Sequence, residues 1–515
     1  MNKIKKLFAF IVAFLGLISL ASCGKSFEAT IEKVTPTRDT ITIEASFGSN
    51  KEIIDGKAVP IAKIFEVDKE EEKYVEKDQN VTLNARKDGG TASFSDLKTG
   101  QEYIIYLYMR YNGSENQVGE GTKVTTLKNG TSEDDPIIIS TVDDFLAMGK
   151  DNKGYYKLAN DINFEEAQIT DMFSSSNPFK GHFDGNGKTI SNFKIKSATN
   201  AGIFGQTEKA TIKNLNIKDA KIDWSNGRSS TNAAILVGRA IDTVIRNITI
   251  DGVKIDVSAN TSADINLGVL VGLSEDSSVK DVKITNATIN LIRSRLKVTA
   301  GLVFGTLKGA GIDGIFVENV YAEGSIEATA YYNNSEGYTF IGGFAGSIGA
   351  VGKVKDSAVI ATINVYKEVN TQYTDDYYLA VGGFIGMNNQ GQMNIEKSAA
   401  ISDITIMAGK KPAEGSTGEE YNDAQMSKKP IYVGGFIGSA KKLFIGIFDC
   451  QAKVKETGIT IKAKHSITEE EETTQLVYTG AFEGFTDAPD HIKNSTTPVD
   501  LDPTVKSMLE TGKLA

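Results

Sequence analysis

The chain has 515 residues, 56 basic and 66 acidic side chains, and a formal net charge of −10. That balance argues against a nucleic-acid partner, which rewards clustered positive charge. Only two cysteines occur, Cys23 and Cys450, so no internal disulfide framework is expected.

Lys3, Lys5 and Lys6 precede an apolar run from Leu7 to Leu20, which ends in Leu20-Ala-Ser-Cys23-Gly24. Residues 1–22 therefore read as a secretory signal peptide, and the apolar run is too short for a transmembrane span. The Leu-Ala-Ser-Cys phrase resembles a bacterial lipobox. That resemblance implies that Cys23 receives a diacylglyceryl group and becomes the new N-terminus. Residues 23–26 would then be an anchor segment, the membrane a partner through an N-terminal lipid, and the location the bacterial cell envelope, lipid-anchored and surface-exposed. Each buried acyl CH2 is worth about 0.8 kcal/mol, so a diacyl group holds firmly.

Residues 27–127 alternate apolar and polar side chains in Ala29–Val34, Thr40–Ala45, Val81–Leu83, Tyr103–Tyr111 and Thr122–Thr126, the period of half-buried strands. The phrase Phe94-Ser-Asp-Leu-Lys-Thr-Gly-Gln-Glu-Tyr103 resembles the tyrosine corner of fibronectin type III domains, where the Tyr hydroxyl returns to a nearby backbone group. The resemblance implies a β-sandwich acting as spacer or binding unit. The usual early tryptophan is absent, with Phe47 as its replacement. The acidic runs Glu66–Asp78 and Glu469–Glu472 read as solvated loops. Residues 128–135 read as a linker. Ile137–Ile139 then gives a strand, and Thr141–Met148 a short helix with Thr141 as N-cap and acids in its first turn. That segment is placed to cover the open end of the array on its C-terminal side.

The array is a repeat. A glycine-hydrophobic-glycine phrase closes on glycines 205, 238, 272, 305, 346, 386, 438 and 484, in steps of 33, 34, 33, 41, 40, 52 and 46. In the fourth copy, Gly301-Leu-Val-Phe-Gly305, Phe304 reads as an extra residue. Between the phrases lie β-branched runs such as Thr211–Ile217 with Lys221–Asp223, and Val244–Ile250 with Val253–Val257. A fixed period, three short strands per period and no helical pattern predict one β-helix turn per repeat. Asn214, Asn247 and Asp281, then Asn319, Asp356, Asp449 and Asn494 at a looser offset, are expected to stack from coil to coil inside the array. The glycines suit tight corners and close coil contacts. Cys450 sits at a strand-like position as a buried apolar filler.

The region 136–498 resembles the GLUG-motif family of bacterial surface proteins, with phrases such as Gly382-Gly-Phe-Ile-Gly386 and the lead-in Phe179-Lys-Gly-His-Phe-Asp-Gly-Asn-Gly-Lys-Thr-Ile190. The fold expected for the whole chain is all-β: a fibronectin type III-like sandwich, then a right-handed parallel β-helix, with residues 499–515 as a C-terminal cap or tail.

No catalytic residue, metal site or cofactor is assigned. His182, His465 and His491 form no metal-ligand spacing, and no nucleophile elbow or phosphate-binding loop occurs. His182 reads as a turn residue. Glycoside hydrolysis needs two facing carboxylates, which neighbouring coils could supply; lyase chemistry needs a positioned Arg or Lys, and no arginine follows Arg295. The longer repeats place their extra residues at one phase, at Tyr331–Thr339, Tyr366–Leu379 and 409–430. These carry Tyr331, Tyr332, Tyr338, Tyr373, Tyr377, Tyr378 and Tyr421. Tyrosine pairs a flat apolar face with a polar tip, so the first six are candidate ligand-binding residues for a protein or glycan; ring packing on the coil edge is the alternative. The expected function is a cell-surface lipoprotein acting as a non-catalytic binding or adhesion module. A structural spacer or accessory subunit, and a polysaccharide lyase or glycoside hydrolase, stand as alternatives.

Overall fold

The structure, a computed structural model, describes residues 27–47, 51–68, 73–82, 84–86, 89–127, 129–170, 172–196, 199–225, 231–258, 264–294, 297–309, 315–331, 337–350, 352–368, 378–388, 393–409, 431–440, 446–462, 477–481, 483–486 and 492–493. Cys23, the signal segment, Asn494 and the tail 499–515 lie outside these residues. The chain divides into two units after Ile137.

The first unit has two four-stranded antiparallel sheets. One holds β1 (Thr30–Pro36), β2 (Ile41–Ser46), β5 (Asn84–Arg86) and β6 (Gly89–Phe94). The other holds β3 (Ala58–Asp68), β4 (Lys73–Thr82), β7 (Glu102–Tyr111) and β8 (Ser114–Thr125). Alternation sends Ile41, Ile43 and Ala45 of β2, and Tyr103, Ile105, Leu107 and Met109 of β7, into one shared core with Phe47, Phe94 and Leu97. Tyr103 is fully buried, and its hydroxyl accepts a hydrogen bond from Lys98 N at 2.8 Å. The acidic run 66–78 is not simply a loop. Its ends belong to β3 and β4, which pair Asp68 with Lys73 and Phe65 with Glu76. Val67 and Tyr74 stand opposite one another in this pairing despite the acidic composition. Residues 129–135 also have local order, since Gly130 N donates to Asp135 O at 2.5 Å.

The second unit is a parallel β-solenoid. A turn holds up to four strand segments, as in Phe204–Glu208, Thr211–Lys218, Lys221–Ser225 and Thr231–Ala233; the second and third run together as one strand in Ser278–Ser294 and Ile315–Tyr331, which leaves the expected three. The second and third segments of successive turns stack into one long bent sheet, here sheet I. The fourth segments form the eight-stranded sheet II, from Asn200–Ala201 to Val477–Gly480. The first segments form the eight-stranded sheet III, from Phe204–Glu208 to Glu483–Thr486.

Register turns the repeat into columns of like residues. Ile169, Ile195, Ile222, Ile255, Ile289, Ile326, Ile363 and Ile404 stack in consecutive turns of sheet I. Each is at most 2% exposed. Burying such a side chain is worth roughly 1.5–3 kcal/mol, so this column is a large share of the core energy. Phe344, Phe384 and Phe436 stack face to face at 4.4 and 4.8 Å, with Phe304 tilted on Phe344 at 5.7 Å.

The glycine phrase is the corner between sheets II and III. Ideal Cβ atoms on Gly342 and Gly382 would strike the carbonyls of Ala345 and Ile385, and those on Gly343 and Gly383 the carbonyls of Gly383 and Gly435 in the next turn. Backbone approaches this close leave no room for a side chain. Register pairs Gly301 with Gly342 and Phe304 with Ala345, so Phe304 is no extra residue. The Gly202–Gly205 copy is the short one: its Ala201 and Phe204 pair with Ala233 and Val237.

The Asn and Asp column stands on the outside, not inside. Asn214, Asn247, Asp281, Asn319, Asp356 and Asp449 occupy a left-handed bend, with φ between 50° and 57°. Asn and Asp tolerate that conformation better than other L-residues. Their side chains are exposed or half-buried and bond along the column, Asn247 Nδ2 to Asn214 Oδ1 at 2.8 Å and Asn319 Nδ2 to Asp281 Oδ1 at 2.6 Å. Lys397, at φ 46°, holds the position between Asp356 and Asp449.

The lead-in helix α1 (Val142–Ala147) has a capping box: Asp144 N donates to Thr141 Oγ1 at 3.1 Å, and Thr141 N to Asp144 Oδ2 at 3.0 Å. The cap holds Phe145, fully buried, against Phe164 and Phe183 of the first turns, at 5.4 and 6.0 Å. An apolar ring thus sits on the beginning of the array.

Candidate functional site

All the long insertions connect sheet I to sheet II. On the sheet I side, the strands end at Tyr331, Glu368 and Gly409, which stand in register. On the sheet II side, Tyr338 pairs with Tyr378, and Leu379 with Ile431. The inserted segments therefore leave and re-enter along one edge of the solenoid. Tyr338 and Tyr378 are strand residues rather than loop residues, and Tyr331 ends a strand. Their β-branched and apolar neighbours, Thr339-Phe-Ile341 and Leu379-Ala-Val381, extend sheet II past the expected boundary. Tyr332, Tyr373, Tyr377 and Tyr421 lie outside the described residues.

Tyr338 shows how this edge is built. Along this strand Tyr338 is half-buried, whereas Thr339, Phe340 and Ile341 are buried, and alternation puts Tyr338 and Phe340 on the same face. The Tyr338 ring stacks on Phe340 at 4.3 Å with 5° between the planes, and Lys297 Nζ lies 5.6 Å from its centroid. Phe340 belongs to a cluster with Ala380, Met387 and Tyr432. Burial, with a further contribution from Asp264, raises the Tyr338 pKa above its ordinary value. The Tyr338 ring is thus packed on the coil edge, as in the ring-packing alternative, with an ammonium close beside it.

Sequence reasoning missed Phe340, Tyr432 and Lys297. The signal was available in the repeat, because this column of sheet II lies two residues before the opening glycine. In the early turns this column is polar: Asn232 Nδ2 donates to Asn200 Oδ1 and Asn266 Nδ2 to Asn232 Oδ1, each at 2.8 Å, and Thr299 Oγ1 donates to Asn266 Oδ1 at 2.7 Å. It becomes aromatic at Phe340 and Tyr432.

The residues considered for catalysis have other partners. His182 begins a strand rather than a turn, and its ring stacks on Tyr155 at 4.2 Å. Asp184 Oδ1 accepts from Asn186 N at 2.8 Å and Asn214 Nδ2 at 2.9 Å, which heads the outer column. Cys450 is fully buried, its Sγ–H donates to Phe448 O at 3.3 Å, and burial pushes its pKa up to about 12, which disfavours the reactive thiolate. Asp223 and Asp256 stand in register on adjacent turns, but Asp256 is bound by Lys254 at 2.8 Å and by Asn290 at 2.7 Å. Among the described residues, no group of three or more His, Cys, Asp or Glu side chains is placed to hold a metal, and no helix is long and apolar enough to cross a membrane.

No family model matches the chain. A stretch of 198 residues, 35% of this chain, is 28% identical to Halomucin of Haloquadratum walsbyi and spans 2% of that protein. Among solved structures, an IgA1 protease aligns over 88% of this chain and 31% of its own, at 14% identity and TM-score 0.34. Pectate lyase Pel3 of Pectobacterium carotovorum aligns over 71% and 91%, at 10% identity and TM-score 0.16. The sensor domain of the anti-sigma factor RsgI4 in Pseudobacteroides cellulosolvens aligns over 21% and 94%, at 13% identity and TM-score 0.15. Likenesses this distant carry no argument about function.

Proposed function

We propose that this chain is a cell-surface lipoprotein of the bacterial envelope, anchored through Cys23, that binds a protein or glycan ligand without transforming it. In this reading its first unit is a fibronectin type III-like module, and its second a right-handed β-solenoid of GLUG-like repeats presenting the binding edge. The observation that carries the reading is the common edge: the inserted segments open between the same two sheets, flanked by in-register Tyr338 and Tyr378. A rigid column of turns with variable connections on one side is how repeat proteins build extended binding surfaces. The Tyr103–Lys98 hydrogen bond and the two-sheet core support the fibronectin-like reading. The preference of parallel crossovers for one hand supports the handedness.

The test is a screen of residues 24–515 on glycan and matrix-protein arrays, with reducing-sugar and unsaturated-product assays on the same sample. A ligand retained with no product supports the proposal. Product release would instead favour chemistry at in-register carboxylates such as Asp223 and Asp256. For the anchor, Cys23→Ser is expected to release the protein from membranes or block its processing. A mutant with unchanged membrane fractionation and unchanged N-terminal mass would overturn that assignment.

A further inference from the structure

The outer face of the β4-β3-β7-β8 sheet carries an aromatic group that the sandwich core does not use. Alternation puts Tyr103, Ile105, Leu107 and Met109 in the core and turns Tyr106 and Tyr108 to the opposite face. In register with them, β3 presents Lys63 beside Tyr106 and Phe65 beside Ile104, and β4 presents Tyr74 beside Val67. Tyr74 is 48% exposed, and Phe65, Tyr106 and Tyr108 are partly exposed.

These rings are held in place. Phe65 meets Tyr106 edge-on, with centroids 5.6 Å apart and planes at 81°. The Tyr106 ring also covers Gly121 of β8: its Cε1 and Cζ lie 2.5 and 2.7 Å from where a Gly121 Cβ would stand. The missing side chain thus lets the ring settle on the strand. Lys63 Nζ sits 4.7 Å from the Tyr108 centroid.

The charges around the rings cancel. Lys63 pairs with Glu115 at 2.7 Å and with Glu76 at 3.7 Å, and Arg110 pairs with Glu115 at 3.0 Å. Two cations and two carboxylates leave no net charge to attract an ionic partner, yet they remain a dense set of donors and acceptors. Anionic polymers would have to break these pairs, whereas hydroxyl groups can join them.

We propose that this face is a second binding surface, separate from the solenoid edge, and that its ligand is an uncharged polysaccharide whose sugar rings stack on Tyr106, Tyr108 and Tyr74. Stacking on a fixed ring costs little side-chain entropy, and the ion-paired rim supplies hydrogen bonds to sugar hydroxyls. The site goes beyond the edge-binding reading and does not depend on it.

The experiment is affinity electrophoresis of the full chain in gels containing hydroxyethylcellulose, xyloglucan or galactomannan, with polygalacturonate and dextran sulfate as anionic probes. At least one neutral polymer is expected to retard the protein, and the anionic ones less. Tyr106→Ala with Tyr108→Ala should weaken retardation at least about tenfold, which corresponds to about 1.4 kcal/mol. Tyr74→Ala, at a half-exposed position, should weaken it several-fold even if the double variant misfolds. Tyr338→Ala on the solenoid edge should leave it unchanged. The proposal is overturned if no neutral polymer retards the protein, if anionic polymers are preferred, or if folded Tyr74→Ala and the folded double variant migrate as the parent does. Loss in Tyr338→Ala with retention in the sandwich variants would assign the glycan to the edge instead.

Discussion

The sandwich and the solenoid both depend on glycine, for different physical reasons. In the sandwich unit, Gly56 and Gly113 adopt φ of +69° and +79° at turns, and nothing lies within 4 Å of an added Cβ. They are needed for their backbone conformation alone. In the solenoid, Gly343 and Gly383 have no such φ, but an added Cβ would strike the next turn's backbone. They are needed for proximity. The same contrast runs through tyrosine. Tyr103 is buried in the two-sheet unit and accepts one bond from Lys98 N, whereas Tyr338 and Tyr378 mark one edge of a stack of turns. An antiparallel sandwich makes each special contact once; a solenoid repeats each contact at every turn.

The largest test of this contrast exchanges side chains for glycine. Gly383→Val brings its Cβ onto Gly435 O, with Ser402 Oγ only 2.7 Å away, and is expected to cost upwards of about 3 kcal/mol. Gly113→Ala meets empty space and should cost only about 1 kcal/mol, from its φ. Thermal or urea unfolding of the two variants measures the difference, and equal small losses would remove the proximity argument. Tyr103→Phe removes the bond from Lys98 N and should destabilise the sandwich by about 1–2 kcal/mol. Hydrogen exchange should confine that loss to residues 27–127; faster exchange in the solenoid strands would contradict the separation of the units.

Smaller effects are expected at the outer column. Asn247→Ala loses the bond to Asn214 and leaves alanine at φ 55°, for an expected loss of about 1–2 kcal/mol. Lys397→Asn should go the other way, with a gain of up to about 1 kcal/mol, because asparagine tolerates φ 46° better. Chemical denaturation of both variants checks the opposite signs. The smallest effect concerns Glu275, bound by Arg239 at 2.6 Å and Lys308 at 2.9 Å. Burial pushes its pKa up, but these two cations outweigh burial and leave it below the ordinary 4.5. Its contribution to stability is therefore present above about that pH and is lost as pH falls through the lowered value. Glu275→Gln should flatten the acid limb of a stability–pH curve below the ordinary carboxylate range, and an unchanged limb would deny the pairing a role.

Much of this architecture is legible in the chain because register makes a solenoid repeat its needs. The glycine at each corner and the isoleucine facing the core recur since each turn meets the same neighbours. Lys397 stayed hidden because the bend is imposed by the turns above and below it, so the residue need not be Asn or Asp. The direction of the Asn column was also hidden: a polar residue between two apolar strands reads the same whether its bend points inward or outward. At the candidate site, the common edge followed from where the insertions fall. Phe340 and Tyr432 did not, because both are buried and stand in runs that are apolar on both faces. In the sandwich, the composition of Glu66–Asp78 hid the pairing of β3 with β4, which sets Val67 opposite Tyr74.

The role proposed for the solenoid edge rests on its binding a ligand without transforming it. The most direct measurement takes a ligand retained on the arrays, incubates it with the parent protein and with folded Tyr338→Ala, and follows bound fraction and ligand mass together. An intact ligand and about tenfold weaker binding by Tyr338→Ala are expected, as when an aromatic anchor is truncated. A cleaved or unsaturated ligand, or full binding by the folded variant, would contradict that role.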